Sequence, residues 1–155
     1  GVQTCALPIS YTGEIKTTRA VAAVDCGTPI NPDLAAGQLE GGLCRGIGLA
    51  LLEDTDYDRE SGRLTCGGTF IDYKTYTPVD MPPVDLVKTF FADTYEPSGP
   101  FGAKGVGEAA NNATAAAVAN AIYNAVGIRF YHAPITPEVV MEALTPALHK
   151  QHGKG

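Results

Sequence analysis

The sequence predicts an α+β fold, and three observations lead to this prediction. Residues 15–25 (IKTTRAVAAVD) become apolar and β-branched in their second half, which is typical of a strand. A glycine-rich helix is indicated from Asn31 to about Leu52, and an alanine-rich helix from Glu108 to Val126. Strands and helices follow in mixed order, without a regular βαβ alternation or an internal repeat. We therefore expect segments of mixed sheet packed against two helices.

Composition excludes two classes of partner. The chain has 155 residues, of which 45% are hydrophobic and 18% charged, and its formal net charge is -6. This balance suits one globular domain with a core. Because no stretch is rich in lysine or arginine, we predict neither a nucleic acid nor a membrane surface as partner. Glycine and charge also interrupt every apolar stretch before the roughly 20 residues that span a bilayer.

The cysteines do not indicate a metal site. They stand far apart, with neither a Cys-x-x-Cys pair nor a nearby histidine, so we predict no metal ligand in this chain. Reduced thiols fit a reducing compartment, and we expect a cytoplasmic protein. The four are Cys5, Cys26, Cys44 and Cys66.

Both ends of the chain are set apart from the predicted fold. Residues 1–9 (GVQTCALPI) have no periodicity and read like a translated sequencing adapter, so we interpret them as an artefact and expect the natural N-terminus to lie upstream. Residues 149–155 form a polar tail that we expect to fray. Residues 10–148 remain as the folded segment.

The first helix has a clear start and one apolar face. Asn31 is a good N-cap, and Pro32 loses no hydrogen bond at the first helical position. Apolar residues recur at steps of four at Ala35, Leu39, Leu43, Ile47 and Leu51.

Glycines within this helix predict a close neighbour. Each lowers helix propensity by about 1 kcal/mol relative to alanine, so close approach of another helix, a strand or a flat cofactor must offset that cost. They are Gly37, Gly41, Gly42, Gly46 and Gly48.

The middle of the chain predicts two further strands. Residues 64–73 (LTCGGTFIDY) have strand character, with a glycine pair that suggests a bulge. A proline-bearing loop at 78–83 precedes a strand at 84–91 (VDLVKTFF). Residues 96–107 are nearly all glycine, proline and small side chains, which indicates a loop.

The last third predicts two helices and a short strand. Gly127 closes the alanine-rich helix as its left-handed cap residue. Residues 128–132 read as a short strand. Thr136 and Pro137 begin a final helix that runs to about Leu144.

The loop at 99–110 (GPFGAKGVGEAA) precedes a helix N-terminus, where free N–H groups favour anions. A Walker phosphate loop is excluded, because Lys104 is followed by Gly105 rather than serine or threonine. A dinucleotide fingerprint fits 105–110 formally. It lacks a preceding strand and an acid about 20 residues later, so we reject it as well.

Glu108 lies where this loop meets the helix. Taken alone, it would be an ordinary first-turn carboxylate that the helix dipole favours. However, residues 102–108 (GAKGVGE) resemble the active-site signature of the molybdenum hydroxylases, the family of xanthine dehydrogenase and aldehyde oxidoreductase. Other motifs follow that family's order and spacing over about residues 15–147, namely VDCG from Val24, INP from Ile30, GQLEGG from Gly37, GIGLAL from Gly46, FIDY from Phe70 and AIYNA from Ala121.

The resemblance implies that residues 10–148 are the C-terminal portion of a molybdopterin-binding domain. It implies a molybdenum cofactor and, for Glu108, the role of the base that deprotonates the metal-bound hydroxide during hydroxylation of an electron-poor carbon. It further implies that 2Fe-2S and FAD cofactors lie on other domains or subunits. Partners would then be the remainder of the molybdopterin-binding domain, the iron–sulfur and flavin subunits or domains, and a small-molecule substrate.

The same resemblance suggests cofactor-binding residues. Gln38 falls where the family has a glutamine near the pterin, although a surface amide on a tightly packed helix is an equal alternative. The backbone amides of Gly105, Val106 and Gly107 suit an anionic group. Lys104 is interpreted as solvated beside the loop, and Asp25 as a polar group at a strand end.

Two functions remain open at this point. The first is part of an enzyme that hydroxylates a nitrogen heterocycle such as a purine, or an aldehyde, and that is inactive as this chain alone. The alternative is a cofactor-binding or assembly module of the same fold without turnover. A neighbouring coding sequence that supplies the rest of the cofactor site would favour the first.

Overall fold

The computed structural model describes residues 2–8 and 12–152, and the side chains of residues 12–145. Five strands and three helices alternate irregularly, which confirms the predicted α+β class. They are β1 (Val2–Pro8), β2 (Ile15–Val24), α1 (Pro32–Leu51), β3 (Asp56–Tyr57), β4 (Leu64–Cys66), β5 (Val87–Phe91), α2 (Ala109–Val126) and α3 (Pro137–His152).

The main sheet is mixed, with β2 in the centre. Its order is β1-β2-β5, where β1 runs antiparallel and β5 parallel to β2. Strands β3 and β4 form a separate two-stranded sheet. The sequence predicts no element in residues 1–9, whereas the structure forms β1 there. Whether those residues derive from an adapter stays a prediction.

Helix α1 begins and buries its face as predicted. Asn31 adopts an extended backbone conformation, and its Oδ1 accepts a hydrogen bond of 3.1 Å from the Leu34 N–H. All five apolar residues spaced four apart are buried. One cluster joins Leu39 and Leu43 to the inner face of β2 and to Ala110.

A second cluster packs the C-terminal half of α1 against the two later helices. Ile47 and Leu51 meet Val118 and Ile122 of α2 and Val140 of α3. The three helices therefore share one core, and the sheet covers the N-terminal half of α1 and the start of α2.

For two of the five glycines of α1, Gly42 and Gly46, the predicted close neighbour is helix α2, whereas Gly37 and Gly41 have no described atom within 4 Å of an added Cβ. A Cβ added at Gly42 would lie 3.0 Å from the Cβ of Ala110, and one at Gly46 only 2.4 Å from the Cβ of Thr114. Real Cβ atoms do not approach as closely as at Gly46, so that position requires glycine for the observed packing. At Gly42 the neighbouring residue would have to shift by a few tenths of an ångström. The first turn of α2 therefore packs directly against α1.

The predicted strand at 64–73 is too long. It ends at Cys66, because Gly67 takes a positive φ of 84° and the chain turns. Asp72 holds this turn by accepting from the Thr69 N–H and hydroxyl and from the Gly67 N–H. The strand at 84–91 is shortened likewise, since Val84–Leu86 forms a 3-10 turn before β5.

The short strand predicted at 128–132 is absent from this described stretch. Arg129 instead packs over the Tyr123 ring at 4.0 Å, and the Ile135 N–H donates to the Ala50 carbonyl at 2.7 Å. These contacts tie the segment to the helices rather than to a sheet edge. Gly127 caps α2 with a φ of 72° as predicted, whereas α3 continues past Leu144 and into the predicted tail.

No helix in the described part of the chain has both the length and the hydropathy that crossing a membrane requires.

Candidate active site

The glycine-rich loop is anchored to the end of β2. The Thr28 N–H donates to the Gly102 carbonyl at 2.9 Å, and the Lys104 N–H donates to the Cys26 carbonyl at 2.7 Å. Gly102 has a φ of 79°, and a Cβ there would lie 2.3 Å from the Tyr95 ring. Backbone hydrogen bonds to residues 26–28 therefore fix the path of the loop before it enters α2.

Asp25 joins three parts of this region. Its carboxylate lies 2.7 Å from the Lys104 Nζ and accepts hydrogen bonds from the Thr94 hydroxyl and, at 3.1 Å, from the Gly27 N–H. The Lys104 ammonium, followed by the Thr94 and Gly27 donors, lowers the pKa of Asp25 from 3.8 to about 2. Asp25 in turn raises the pKa of Lys104. The interpretation of Lys104 as merely solvated is wrong, because it is an ion-pair partner.

This ion pair predicts a specific acid sensitivity. The depressed pKa of Asp25 means that its stabilising effect is complete above pH about 4 and is lost as the pH falls toward 2. Asp25→Asn should therefore lower the thermal unfolding midpoint at pH 6 and flatten its dependence on pH between 4 and 2. Circular dichroism melts over that range measure both, with Asp93→Asn, an exposed neighbour, as control. Equal acid slopes for Asp25→Asn and wild type would contradict the prediction.

Glu108 occupies the N-cap position of α2 rather than its first helical position. Its backbone lies at φ -119° and ψ 10°, and its side chain makes no capping hydrogen bond to the described helix. The carboxylate is 76% exposed, and its Oε1 lies 3.6 Å from the Arg45 Nη1 of α1. The side chain is thus available for chemistry and faces a basic residue on the neighbouring helix.

Glu108 lines a cavity of about 330 Å³ between the two helices. Gly107 and Asn111 form its wall on the α2 side, and Gln38 and Arg45 lie on the α1 side together with Gly37, Gly41 and Gly42. Three of the five predicted site residues, Gln38, Gly107 and Glu108, are therefore brought together here.

A second cavity of about 320 Å³ adjoins the first at Gln38. Val106 and Lys104 line it from the loop, and Ile30 and Leu34 from the start of α1. Gly105 lines neither of these two cavities. Gln38 is exposed and borders both the cavity with Glu108 and the more apolar cavity with Val106.

The lining of the first cavity offers open backbone and a free acceptor that would fit a cofactor with polar groups. A Cβ added at Gly37, Gly41 or Gly107 would meet no described atom within 4 Å, so bare backbone faces open space there. The Asn111 Oδ1 is buried without a hydrogen-bond partner among the described residues, which leaves an acceptor for a bound group. Among those residues no cluster of histidine, cysteine and acidic side chains could itself hold a metal ion.

Sequence reasoning missed Arg45 and Asn111, and it underrated Asp25. Arg45 follows Gln38 by seven residues, a spacing that places both on one helix face, and this signal was available. The pairing of Asp25 with Lys104 joins residues 79 apart in sequence, and no local pattern indicates it.

Known proteins match this chain over most of its length. Residues 1–82 match the family model of the molybdopterin cofactor-binding domain. The probable hypoxanthine oxidase XdhD of Escherichia coli is 39% identical over 137 residues, which cover 86% of this chain. The aldehyde oxidoreductase molybdenum-binding subunit PaoC of the same species is 36% identical over 87% of the chain.

The fold agrees with solved structures of the same kind. Quinoline 2-oxidoreductase from Pseudomonas putida 86 superposes with a TM-score of 0.78 at 34% identity, over 86% of this chain and 17% of its own. The chain spans only 14% of XdhD and 18% of PaoC. The chain belongs to the molybdopterin cofactor-binding domain family, within the molybdenum hydroxylases of xanthine and aldehyde oxidoreductase type.

Proposed function

We propose that this chain forms one wall of the active site of a larger molybdopterin-dependent hydroxylase, with Glu108 as its base. The observation that supports this most directly is the position of Glu108, an exposed carboxylate at the edge of a cavity with bare glycine backbone. The proposed reaction introduces a water-derived oxygen at an electron-poor carbon.

The cofactor, when bound, supplies the redox centre that accepts the two electrons removed from the substrate. The chain's own residues bind it and move a proton. The N–H groups of Gly105, Val106 and Gly107 would hold its anionic part, and the Gln38 amide would orient its ring. Glu108 would accept the proton on Oε2, the carboxylate oxygen that is not paired with Arg45.

The remainder of the molybdopterin-binding domain is the proposed partner at the second cavity. Ile30 and Leu34, which line this cavity, are 67% and 70% exposed, and such exposed apolar side chains favour coverage by protein. Because the cavities are open on that side, we propose that the chain alone has no turnover. Iron–sulfur and flavin cofactors would lie on other domains or subunits, as the name "molybdenum-binding subunit" of PaoC suggests.

A nitrogen heterocycle is the proposed substrate class. The name of XdhD refers to hypoxanthine, and the name of one structural neighbour refers to quinoline. The name of PaoC refers to aldehydes instead. We also propose a cytoplasmic location, which the free thiols of Cys26, Cys44 and Cys66 favour.

Metal and pterin analysis of the full-length protein, followed by a hydroxylation screen in ¹⁸O-labelled water with an artificial electron acceptor, tests the proposal. We expect molybdenum and pterin in about equal amounts and product that carries ¹⁸O from water. A protein that binds neither, or a product without the label, would overturn the proposed function.

A further inference from the structure

Arg45 is the basic residue that faces Glu108 across the cavity. Its Nη1 lies 3.6 Å from the Glu108 Oε1, and no other ion pair of Glu108 occurs among the described residues. Glu108 also lacks a capping hydrogen bond within the described helix. Among the described residues, the guanidinium is therefore the charged group in ion-pair contact with this carboxylate.

Helix packing, rather than a loop, sets the place of Arg45. It lies three residues after Gly42 and one before Gly46, two of the positions at which α2 approaches α1 closely. A Cβ at Gly42 would meet Ala110 and the Asn111 backbone, which belong to the turn that follows Glu108. The two glycine contacts thus bring the backbone that bears Arg45 and the backbone that bears Glu108 together.

A second acidic group, Glu53, pairs with a tyrosine that lies within electrostatic range of Arg45. The Tyr73 hydroxyl donates to the Glu53 Oε2 at 2.7 Å, which raises the pKa of Tyr73, and the positive charge of Arg45 partly opposes that rise. The charge of Arg45 therefore reaches the Tyr73 hydroxyl as well as Glu108.

We propose that Arg45 is the positioning residue for Glu108: it engages Oε1 and so leaves Oε2 to accept the proton. This inference rests on the proposed function of Glu108 as base. Positioning of a base affects mainly the rate of the chemical step. A catalytic group misplaced by about 1 Å can lower that rate on the order of 100-fold.

The test uses the full-length, cofactor-loaded enzyme with its substrate. Arg45→Gln should lower kcat about 10- to 100-fold with KM nearly unchanged, and Arg45→Lys should recover part of that loss because it keeps the charge. Arg59→Gln, in the exposed β3–β4 turn, is the matched control and should keep the wild-type kcat. Molybdenum and pterin contents should be equal in all variants.

A double-mutant cycle completes the test. On the residual activity of Glu108→Gln, adding Arg45→Gln should cause no further loss, because Arg45 acts only through the carboxylate. Additive losses, an unchanged kcat in Arg45→Gln, or loss of its molybdenum would each overturn the positioning role. Substantial turnover in Glu108→Gln alone would instead overturn the proposed base, so the two failures are distinguishable.

Discussion

Glu108→Gln in the full-length enzyme should lower kcat by roughly 10²- to 10⁴-fold while molybdenum and pterin contents stay at wild-type level. Glutamine keeps the size of the side chain and one oxygen, but it cannot take up a proton near neutral pH. Because Glu108 makes no capping hydrogen bond in the described helix, the substitution should not unfold the start of α2. Loss of activity then reports the chemistry rather than the fold.

The measurements are steady-state turnover with an artificial acceptor, metal analysis, and the thermal unfolding midpoint. Glu142→Gln is the matched control, since it alters an exposed glutamate on α3, away from the cavity. It should retain full turnover. If Glu108→Gln retains near-normal turnover with full molybdenum content, the base lies elsewhere.

Local rules predicted the helices well because their signals are short-range. The Asn31 cap, the four-residue spacing of apolar residues in α1 and the Gly127 cap each act within a few residues, and all three are confirmed. Strand ends were predicted less well. Cys66 ends its strand because Asp72 organises a turn, and residues 128–132 find their contacts on helices, so both outcomes depend on tertiary partners.

In the candidate site, too, the residues within a local motif were predicted and the tertiary contacts were not. The sequence motif singled out Glu108, and Gln38 and Gly107 meet it at one cavity. The contacts that define its setting, Arg45 with Glu108 and Asp25 with Lys104, join residues 63 and 79 positions apart. Charge pairing at such a separation depends on how α1, α2 and the loop pack, which residue patterns within one element do not encode.

Gly46→Ala should destabilise the chain by up to about 2 kcal/mol, although alanine is the better helix former. The new Cβ would lie 2.4 Å from the Cβ and 2.8 Å from the Cγ2 of Thr114, a fully buried residue whose hydroxyl already donates to the Ala110 carbonyl. Overpacking of this kind typically costs 1–3 kcal/mol, which exceeds the gain of about 1 kcal/mol in helix propensity. Helix α2 must move away from α1, and the cavity that contains Glu108 changes with it.

Gly41→Ala provides a control of opposite sign on the same helix. A Cβ there meets no described atom within 4 Å, so the substitution should stabilise the cofactor-free chain by about 0.5–1 kcal/mol. Thermal unfolding followed by circular dichroism compares the two variants with wild type. A Gly46→Ala midpoint at or above wild type would contradict the packing of α2 on α1. Opposite shifts of the two unfolding midpoints would show that Gly46 permits contact between the helices, whereas Gly41 leaves backbone open beside Glu108.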